Sequence, residues 1–318
     1  MSRPAPDPSY ILRGAHSEVT SLTFTHVAES RGTSAAGLIS GTLTGAIQMW
    51  DWTTKRIIKT VEAHKGESLL WLANPGDGRL LSQGRDGRLV LWDCSGEDWR
   101  QLGWVPCATL GFCRASLLNK NPDILAVPSP VQGEISVISI PSLQILHTMK
   151  VQKTQGMCMS LKLTTCQSEK DTLLIGGFEN GSLALWQIGG HDVLHSLALH
   201  EESVMALDYN SKVNKGISGS VDTKIQVWTI SEELKIQSVK EISVTNAGVS
   251  SVTIREDGKI FITGGWDHQV RVFGMKKLNA LAVLNYHSAT IHCTVFSKDN
   301  TIAAGSKDRL ITVWDVYK

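Results

Sequence analysis

The sequence predicts an all-β protein that folds as a single seven-bladed β-propeller, and three observations support this prediction. A pattern of a small residue, glycine, an aspartate turn, alternating apolar residues and tryptophan recurs along nearly the whole chain. Its seven copies end at positions 50, 92, 138, 186, 228, 273 and 314, which fits a propeller blade of ~40–45 residues. Short strand-like runs between Gly, Asn and Asp turns are frequent, whereas no window keeps a helical period of apolar residues.

The first four copies keep the pattern to different degrees. The first ends at Trp50 and has Thr44 in place of the turn aspartate, whereas the second, Ser82–Trp92, is complete. The third, Gln132–Ile138, keeps only the alternation and the turn glycine, and the fourth ends at Trp186. The apolar run at the end of each copy predicts a strand that follows a turn.

The last three copies return to the clear form. The fifth, Ser218–Trp228, and the seventh, Ala304–Trp314, have the same spacing from aspartate to tryptophan as the second. The sixth ends at Phe273, a different aromatic residue. Because the copies are so alike, we expect each to supply the strands of one blade.

The third unit, 94–138, allows two interpretations. It lacks the His, Asp and Trp of the other units, and it contains Trp99, Trp104 and the segment Leu110–Arg114. One interpretation is a degenerate blade that has lost structural residues without a functional reason. The other is a specialised surface, which an exposed apolar patch would favour.

Two copies combine histidine, serine and aspartate, the composition of a hydrolase triad. An active site has no reason to occur twice in one register, so we interpret both sets as structural and expect no enzyme activity. In such a relay tryptophan donates a hydrogen bond to serine, serine to histidine and histidine to aspartate. The relay residues are His64, Ser82, Asp86 and Trp92 in the second copy, and His200, Ser218, Asp222 and Trp228 in the fifth.

Two further copies have an incomplete set. The first lacks the aspartate, with Thr44 in its place, and the seventh lacks the serine, with Ala304 in its place. We expect these blades to be locally less stable. Their remaining members are His16, Ser40 and Trp50 in the first copy, and His287, Asp308 and Trp314 in the seventh.

Composition and charge narrow the classes of function. The 31 Lys and Arg balance 30 Asp and Glu without a run of like charge, which argues against nucleic acid as a ligand. The six cysteines form no CxxC pair, and no phosphate-loop or dinucleotide motif is present, so we predict no metal and no cofactor. The chain shows neither a signal peptide nor an 18-residue apolar stretch, so we expect no membrane segment and an intracellular protein.

The repeats resemble those of the WD-repeat family, whose Trp-Asp pair occurs here at Trp50, Trp92 and Trp314, each followed by aspartate. The resemblance covers about residues 10–318. It implies that the first strand, Tyr10–Arg13, completes the last blade by pairing with the three C-terminal strands. We therefore expect a flexible Pro-rich segment at 1–9 and a closed, monomeric propeller at 10–318.

The residue before each turn aspartate is expected on one rim of the propeller, where partners commonly bind in this family. Exposed Trp and Arg are frequent at interface hot spots, so Trp266 and Arg85 are the leading candidates. The alternative is that Trp266 packs against a neighbouring blade and that Arg85 is merely solvated. The rim positions are Leu43, Arg85, Val131, Glu179, Val221, Trp266 and Lys307.

Five segments resemble a narrower group of WD-repeat proteins, which are non-enzymatic adaptors. This resemblance implies a role with the TTT cochaperone assembly in maturing phosphatidylinositol 3-kinase-related kinases, hence in DNA-damage signalling, in the cytoplasm and also the nucleus. Three alternatives stay open: a reader of modified peptides, a G-protein β-like subunit and a propeller enzyme. The segments are Leu80–Asp86, Gly111–Arg114, His200–Met205, Gly264–His268 with Arg271–Phe273, and Ala303–Asp308.

Overall fold

The computed structural model describes residues 5–26, 36–190 and 192–317, so residues 1–4 of the predicted N-terminal segment lie outside it. All its regular elements are β-strands, apart from one 3₁₀ turn at Lys153–Gln155. The strands form seven four-stranded sheets, which are the blades of the predicted β-propeller. Among the described residues, no helix is long and apolar enough to cross a membrane.

One compact unit consists of Met1–Trp104, Ile262–Phe273 and Ala280–Lys318. It holds blade 1, blade 7 and nearly all of blade 2. Blade 1 consists of β2 (Val19–His26), β3 (Ala36–Thr42), β4 (Ala46–Trp50) and β5 (Ile57–Glu62). Blade 2 consists of β6 (Leu69–Gly76), β7 (Arg79–Gly84), β8 (Arg88–Asp93) and β9 (Arg100–Pro106). Blade 7 consists of β1 (Tyr10–Leu12), β26 (Ile291–Phe296), β27 (Ile302–Ser306) and β28 (Ile311–Trp314).

The other compact unit consists of Val105–Phe261 and Gly274–Asn279 and holds blades 3, 4 and 5. Blade 3 consists of β10 (Ser116–Leu117), β11 (Ile124–Pro128), β12 (Glu134–Ser139) and β13 (Gln144–Lys150). Blade 4 consists of β14 (Cys158–Thr165), β15 (Thr172–Phe178), β16 (Ser182–Gln187) and β17 (His195–Ala198). Blade 5 consists of β18 (Ala206–Asn210), β19 (Lys215–Gly219), β20 (Lys224–Ile230) and β21 (Ile236–Ser243).

The remaining sheet is blade 6. It consists of β22 (Val249–Ile254), β23 (Ile260–Gly265), β24 (Val270–Gly274) and β25 (Asn279–Leu284). With it, every one of the seven sequence copies has a sheet of its own.

The terminal residue of each copy lies on the strand that follows the copy's turn, as the repeat predicts. These side chains are all buried, because the copies place their largest apolar residue against the core. They are Trp50, Trp92, Ile138, Trp186, Trp228, Phe273 and Trp314.

The hydrophobic core lies between consecutive blades of each unit. Ile47 of blade 1 shares one cluster with Trp92 of blade 2. Met149 of blade 3 shares another with Trp186 of blade 4. Because each blade covers the apolar face of the next, burial of that face stabilises both blades.

The N-terminal strand completes blade 7, as predicted. Strand β1 pairs antiparallel with β28, with Tyr10 opposite Val313 and Leu12 opposite Ile311. Leu12 is 1% exposed, so this short strand contributes apolar contacts as well as main-chain hydrogen bonds. The pairing covers the edge of β28, which would otherwise be open to other chains.

Candidate functional site

The relay residues of blade 2 lie close together and are buried. His64 lies in the loop between β5 and β6, where its Nδ1 is 2.9 Å from Asp86 Oδ1 and its Nε2 is 2.8 Å from Ser82 Oγ. The indole Nε1 of Trp92 donates to the same Ser82 oxygen at 2.9 Å. Four side chains from a loop, two strands and a turn are thus joined in one hydrogen-bonded chain.

Burial determines the charge of this set. It lowers the pKa of His64, and the Asp86 carboxylate offsets the shift only in part. A neutral imidazole donates from Nδ1 to the carboxylate and accepts the Ser82 proton at Nε2, while Ser82 accepts from Trp92. Ser82 and His64 are completely buried, so this hydroxyl is placed to join strands rather than to attack a dissolved substrate.

Blade 5 has the same residues but a shorter chain of bonds. His200 Nε2 is 2.9 Å from Ser218 Oγ, whereas its Nδ1 is 3.4 Å from Asp222 and makes no aligned hydrogen bond. Trp228 Nε1 has no partner among the described residues, so the predicted bond to Ser218 is absent. The indole instead stacks on Tyr209, with ring centroids 5.6 Å apart and planes 10° from parallel. Aromatic packing has replaced the last bond of the relay.

Blade 7 restores the hydroxyl that Ala304 lacks. His287 Nε2 is 2.6 Å from Thr312 Oγ1 on β28, and its Nδ1 is 2.9 Å from Asp308 Oδ2. Burial would raise the pKa of Asp308, but the His287 hydrogen bond, the His287 charge and two backbone N–H groups outweigh it and lower the pKa to about 2. A threonine that sequence reasoning missed thus fills the gap on the histidine side, although Thr312 lies only two residues before Trp314. Trp314 Nε1 has no partner among the described residues, so this relay ends at Thr312.

Blade 1 keeps one bond of this arrangement, whereas blade 4 has different polar contacts. In blade 1, Trp50 Nε1 donates to Ser40 Oγ at 2.8 Å, whereas His16 is exposed and does not join. In blade 4, the buried amide of Gln155 donates to Ser196 Oγ at 3.2 Å and reaches Ser182 Oγ at 3.5 Å. Neither serine lies at the relay position, which is Gly176 in this blade, and Trp186 Nε1 has no partner among the described residues, so these contacts are separate from the relay.

The rim candidates all lie in the turn that joins the two strands of their own sequence copy, such as the turn between β7 and β8 for Arg85. In the first unit, Trp266 and Leu43 are each 42% exposed, Lys307 is exposed and Arg85 is half-buried. In the second unit, Glu179 is exposed and Val221 is half-buried. One Glu179 carboxylate oxygen accepts the backbone N–H of Met157 at 3.1 Å, which fixes that side chain against its neighbour.

Potential ligands for a metal are scattered. In the stretches that the structure describes, no three His, Cys, Asp or Glu side chains lie close enough to hold a metal ion. The six cysteines form no disulfide, and Cys113 Sγ lies 3.6 Å from Cys158 Sγ. Burial raises the pKa of the Cys113 thiol, which keeps it protonated.

Comparison with known families identifies the repeats. A profile described as "WD domain, G-beta repeat" matches residues 55–93, 236–274 and 278–315. The first match runs from just before β5 to the end of β8, so one repeat contains the outer strand of one blade and three strands of the next. This offset is the reason why a single N-terminal strand is needed to complete the last blade.

Three relatives match along nearly their whole length. Guanine nucleotide-binding protein subunit beta-like protein 1 of Mus musculus is 39% identical, covering 99% of this chain and 97% of the relative. ASTRA-associated protein 1 of Verticillium alfalfae is 25% identical, covering 98% and 93%. ASTRA-associated protein 1 of Schizosaccharomyces pombe is 26% identical, covering 98% and 99%.

Proposed function

Because the chain belongs to the WD-repeat family, we propose that it is a non-catalytic scaffold that binds other proteins through the turns between the second and third strands of its blades. The observation that carries this proposal is the contrast between the two polar sets. The triad-like residues are buried and recur in three blades, as a structural device does. The turn residues differ from blade to blade and five of the seven are exposed, as a recognition surface requires.

Trp266 is the strongest candidate contact of the first unit. Its side chain is 42% exposed, and it donates to no relay, so burial against a partner would remove a large apolar surface from water. Tryptophan is also among the residues most often found at hot spots of protein interfaces. A partner surface with an apolar pocket is the natural complement.

We propose more specifically that the chain is an adaptor that supports the TTT cochaperone assembly in the maturation of phosphatidylinositol 3-kinase-related kinases. The proposal is supported by the resemblance to the adaptor group and by the relatives named ASTRA-associated protein 1. We propose that it performs this role in the cytoplasm and in the nucleus.

The modified-peptide reader is the less favoured binding mode. A cage for a methylated lysine needs several aromatic rings around one cation. No second aromatic ring contacts Trp266 among the described residues, and the nearby Thr290 hydroxyl bonds to its main-chain oxygen rather than to its ring. An apolar pocket on a protein partner suits this side chain better.

Affinity purification of the full chain with mass spectrometry tests the proposal. The variant Trp266→Ala with Arg85→Glu removes the leading contacts. The matched control, Trp104→Ala with Arg100→Glu, makes the same changes on the outer strand β9, where Trp104 is 48% exposed. Circular dichroism and thermal unfolding verify that all forms are folded.

We expect wild type and control to recover the TTT components and the turn variant to lose them. Equal recovery by both variants would contradict the assignment of the binding turns. A wild-type chain that recovers no protein partner would contradict the scaffold itself.

A further inference from the structure

A groove in the second unit carries an inference that rests on the proposed scaffold function and makes it more specific. We propose that this groove binds an extended segment of a partner protein in which a large apolar side chain lies next to a basic one. The groove has a volume of about 600 Å³, within the range of sites that enclose a ligand group. It lies between three segments of blades 3 and 4, which are 108–110, 128–134 and 151–158, together with Glu179.

The groove exists because two connections of blade 3 are long. Five residues, 129–133, join β11 to β12, whereas three residues, 179–181, make the matching turn of blade 4. Nine residues, 107–115, join β9 to β10, against seven, 199–205, between β17 and β18. Blade 3 also lacks the histidine and aspartate that tie the matching connections together in blades 2 and 7. The missing relay leaves room between them.

Hydrogen bonds hold the walls in place without a ligand. The N–H of Ala108 donates to the carbonyl of Pro128 at 3.0 Å, and that of Val151 donates to Gly133 at 2.8 Å. On the other wall, the Met157 N–H donates to Glu179 at 3.1 Å. A preformed site costs less ordering entropy on binding than a loop that must close.

The lining includes three exposed apolar side chains. Leu110 is 79% exposed, Val131 is 56% exposed and Met157 is 40% exposed. Single exposed apolar residues are ordinary, but three around one groove mark a surface that gains from being covered. An apolar side chain of a partner would cover all three.

The charges of the lining favour a cation. Glu134 and Glu179 provide two carboxylates against the single ammonium group of Lys153. Glu179 already accepts one backbone N–H, whereas the Glu134 carboxylate makes no hydrogen bond or ion pair with any described residue. An arginine suits this pair best, since its stem packs on apolar surface while its guanidinium bonds to a carboxylate in two places.

A random 12-residue peptide library displayed on phage is the probe, with the full-length chain immobilised. We expect enriched peptides with Arg or Lys within about three residues of Leu, Met or Phe, the reach of neighbouring side chains on an extended strand. The double variant Leu110→Ser, Met157→Ser should weaken the Kd of the best peptide by about tenfold or more, since it removes two apolar contacts. The control Leu102→Ser, Ile145→Ser changes two residues on outer strands that are 55% and 56% exposed and lie outside the groove, so it should leave the Kd unchanged.

The charge assignment has its own test. Glu134→Lys should raise the Kd of the same peptide, and Lys153→Glu should lower it. Three results would each overturn the proposal. They are enrichment of peptides rich in Asp and Glu, no enrichment of any peptide sequence, and peptide binding that the groove variants leave intact. If the groove fails in this way while the Trp266 variant still loses its protein partners, the scaffold function stands without this site.

Discussion

His64 is completely buried, and yet both of its ring nitrogens have partners. Desolvation of a polar ring is costly unless its hydrogen bonds are replaced, and here Asp86 and Ser82 replace them. His200 has one well-aligned partner instead of two. The same residue type in the same register therefore stabilises its blade to different degrees.

We predict that His64→Ala lowers the free energy of unfolding by about 1–3 kcal/mol, because Ser82 and Asp86 lose a buried partner. His200→Ala should cost less, since Asp222 is poorly bonded already. Urea denaturation followed by tryptophan fluorescence measures both. The control is His16→Ala, whose exposed side chain should leave stability unchanged. Equal stability of His64→Ala and wild type would contradict the buried relay.

The repeat predicts some of the contacts between side chains but not others. The register alone brings His64, Ser82 and Asp86 together. It does not predict that the Trp228 ring stacks on Tyr209, because this contact depends on a residue outside the pattern. It also misses Thr312, since a hydroxyl from the adjacent strand can occupy the same space as one at position 304.

At the scale of the elements, turns and apolar runs predicted the strands that contain the clear copies. They did not predict the bulges in β2, β6, β14 and β26, where the ladder of main-chain pairs skips one residue. In blade 1 the skipped residue is Thr20, whose buried hydroxyl bonds to main-chain oxygens rather than to the ladder. Such compensation depends on the neighbouring blade and leaves no periodic signal.

Strand β1 gives a test at this scale. We predict that Leu12→Ala lowers the free energy of unfolding by about 2–5 kcal/mol, because it leaves a cavity in the core beside β28. Tyr10→Ala is the control on the same strand, since Tyr10 is 47% exposed and should cost much less. Thermal unfolding compares the two. Similar losses would mean that β1 acts through its main chain alone.

At the scale of the whole molecule, the pH dependence of stability follows from the buried histidines. Burial lowers the pKa of both His64 and His200 in the folded state below the ordinary value of 6.5. Below pH 6.5 the unfolded chain then binds more protons than the folded chain, so stability falls as the pH decreases.

We predict that the free energy of unfolding declines between pH 7 and pH 5, by at most about 1.4 kcal/mol per pH unit for each histidine. The double variant His64→Gln, His200→Gln should show a flatter profile than the wild type. Urea titrations at several pH values provide the measurement. A profile that keeps its slope in the double variant would assign the effect to other groups.

The repeat predicted the number of blades, but it did not predict the groove. The third unit is unusual in sequence, and its residues alone are compatible with either a degenerate blade or a specialised surface. The groove depends on how 107–115 and 129–133 approach blade 4, and neither connection carries a periodic pattern. The exposed apolar residues around it favour the specialised surface over simple degeneracy.

The pairing of Tyr10–Leu12 with β28 also has a consequence for synthesis on the ribosome. The first strand emerges early, but its partner is made about 300 residues later, which at ~5–20 residues per second is a wait of roughly 15–60 s. During that time the nascent chain carries an unpaired strand near its start. Blade 7 is thus the last to be completed, and premature termination before Ile311 would leave β27 with an open edge that other chains can join.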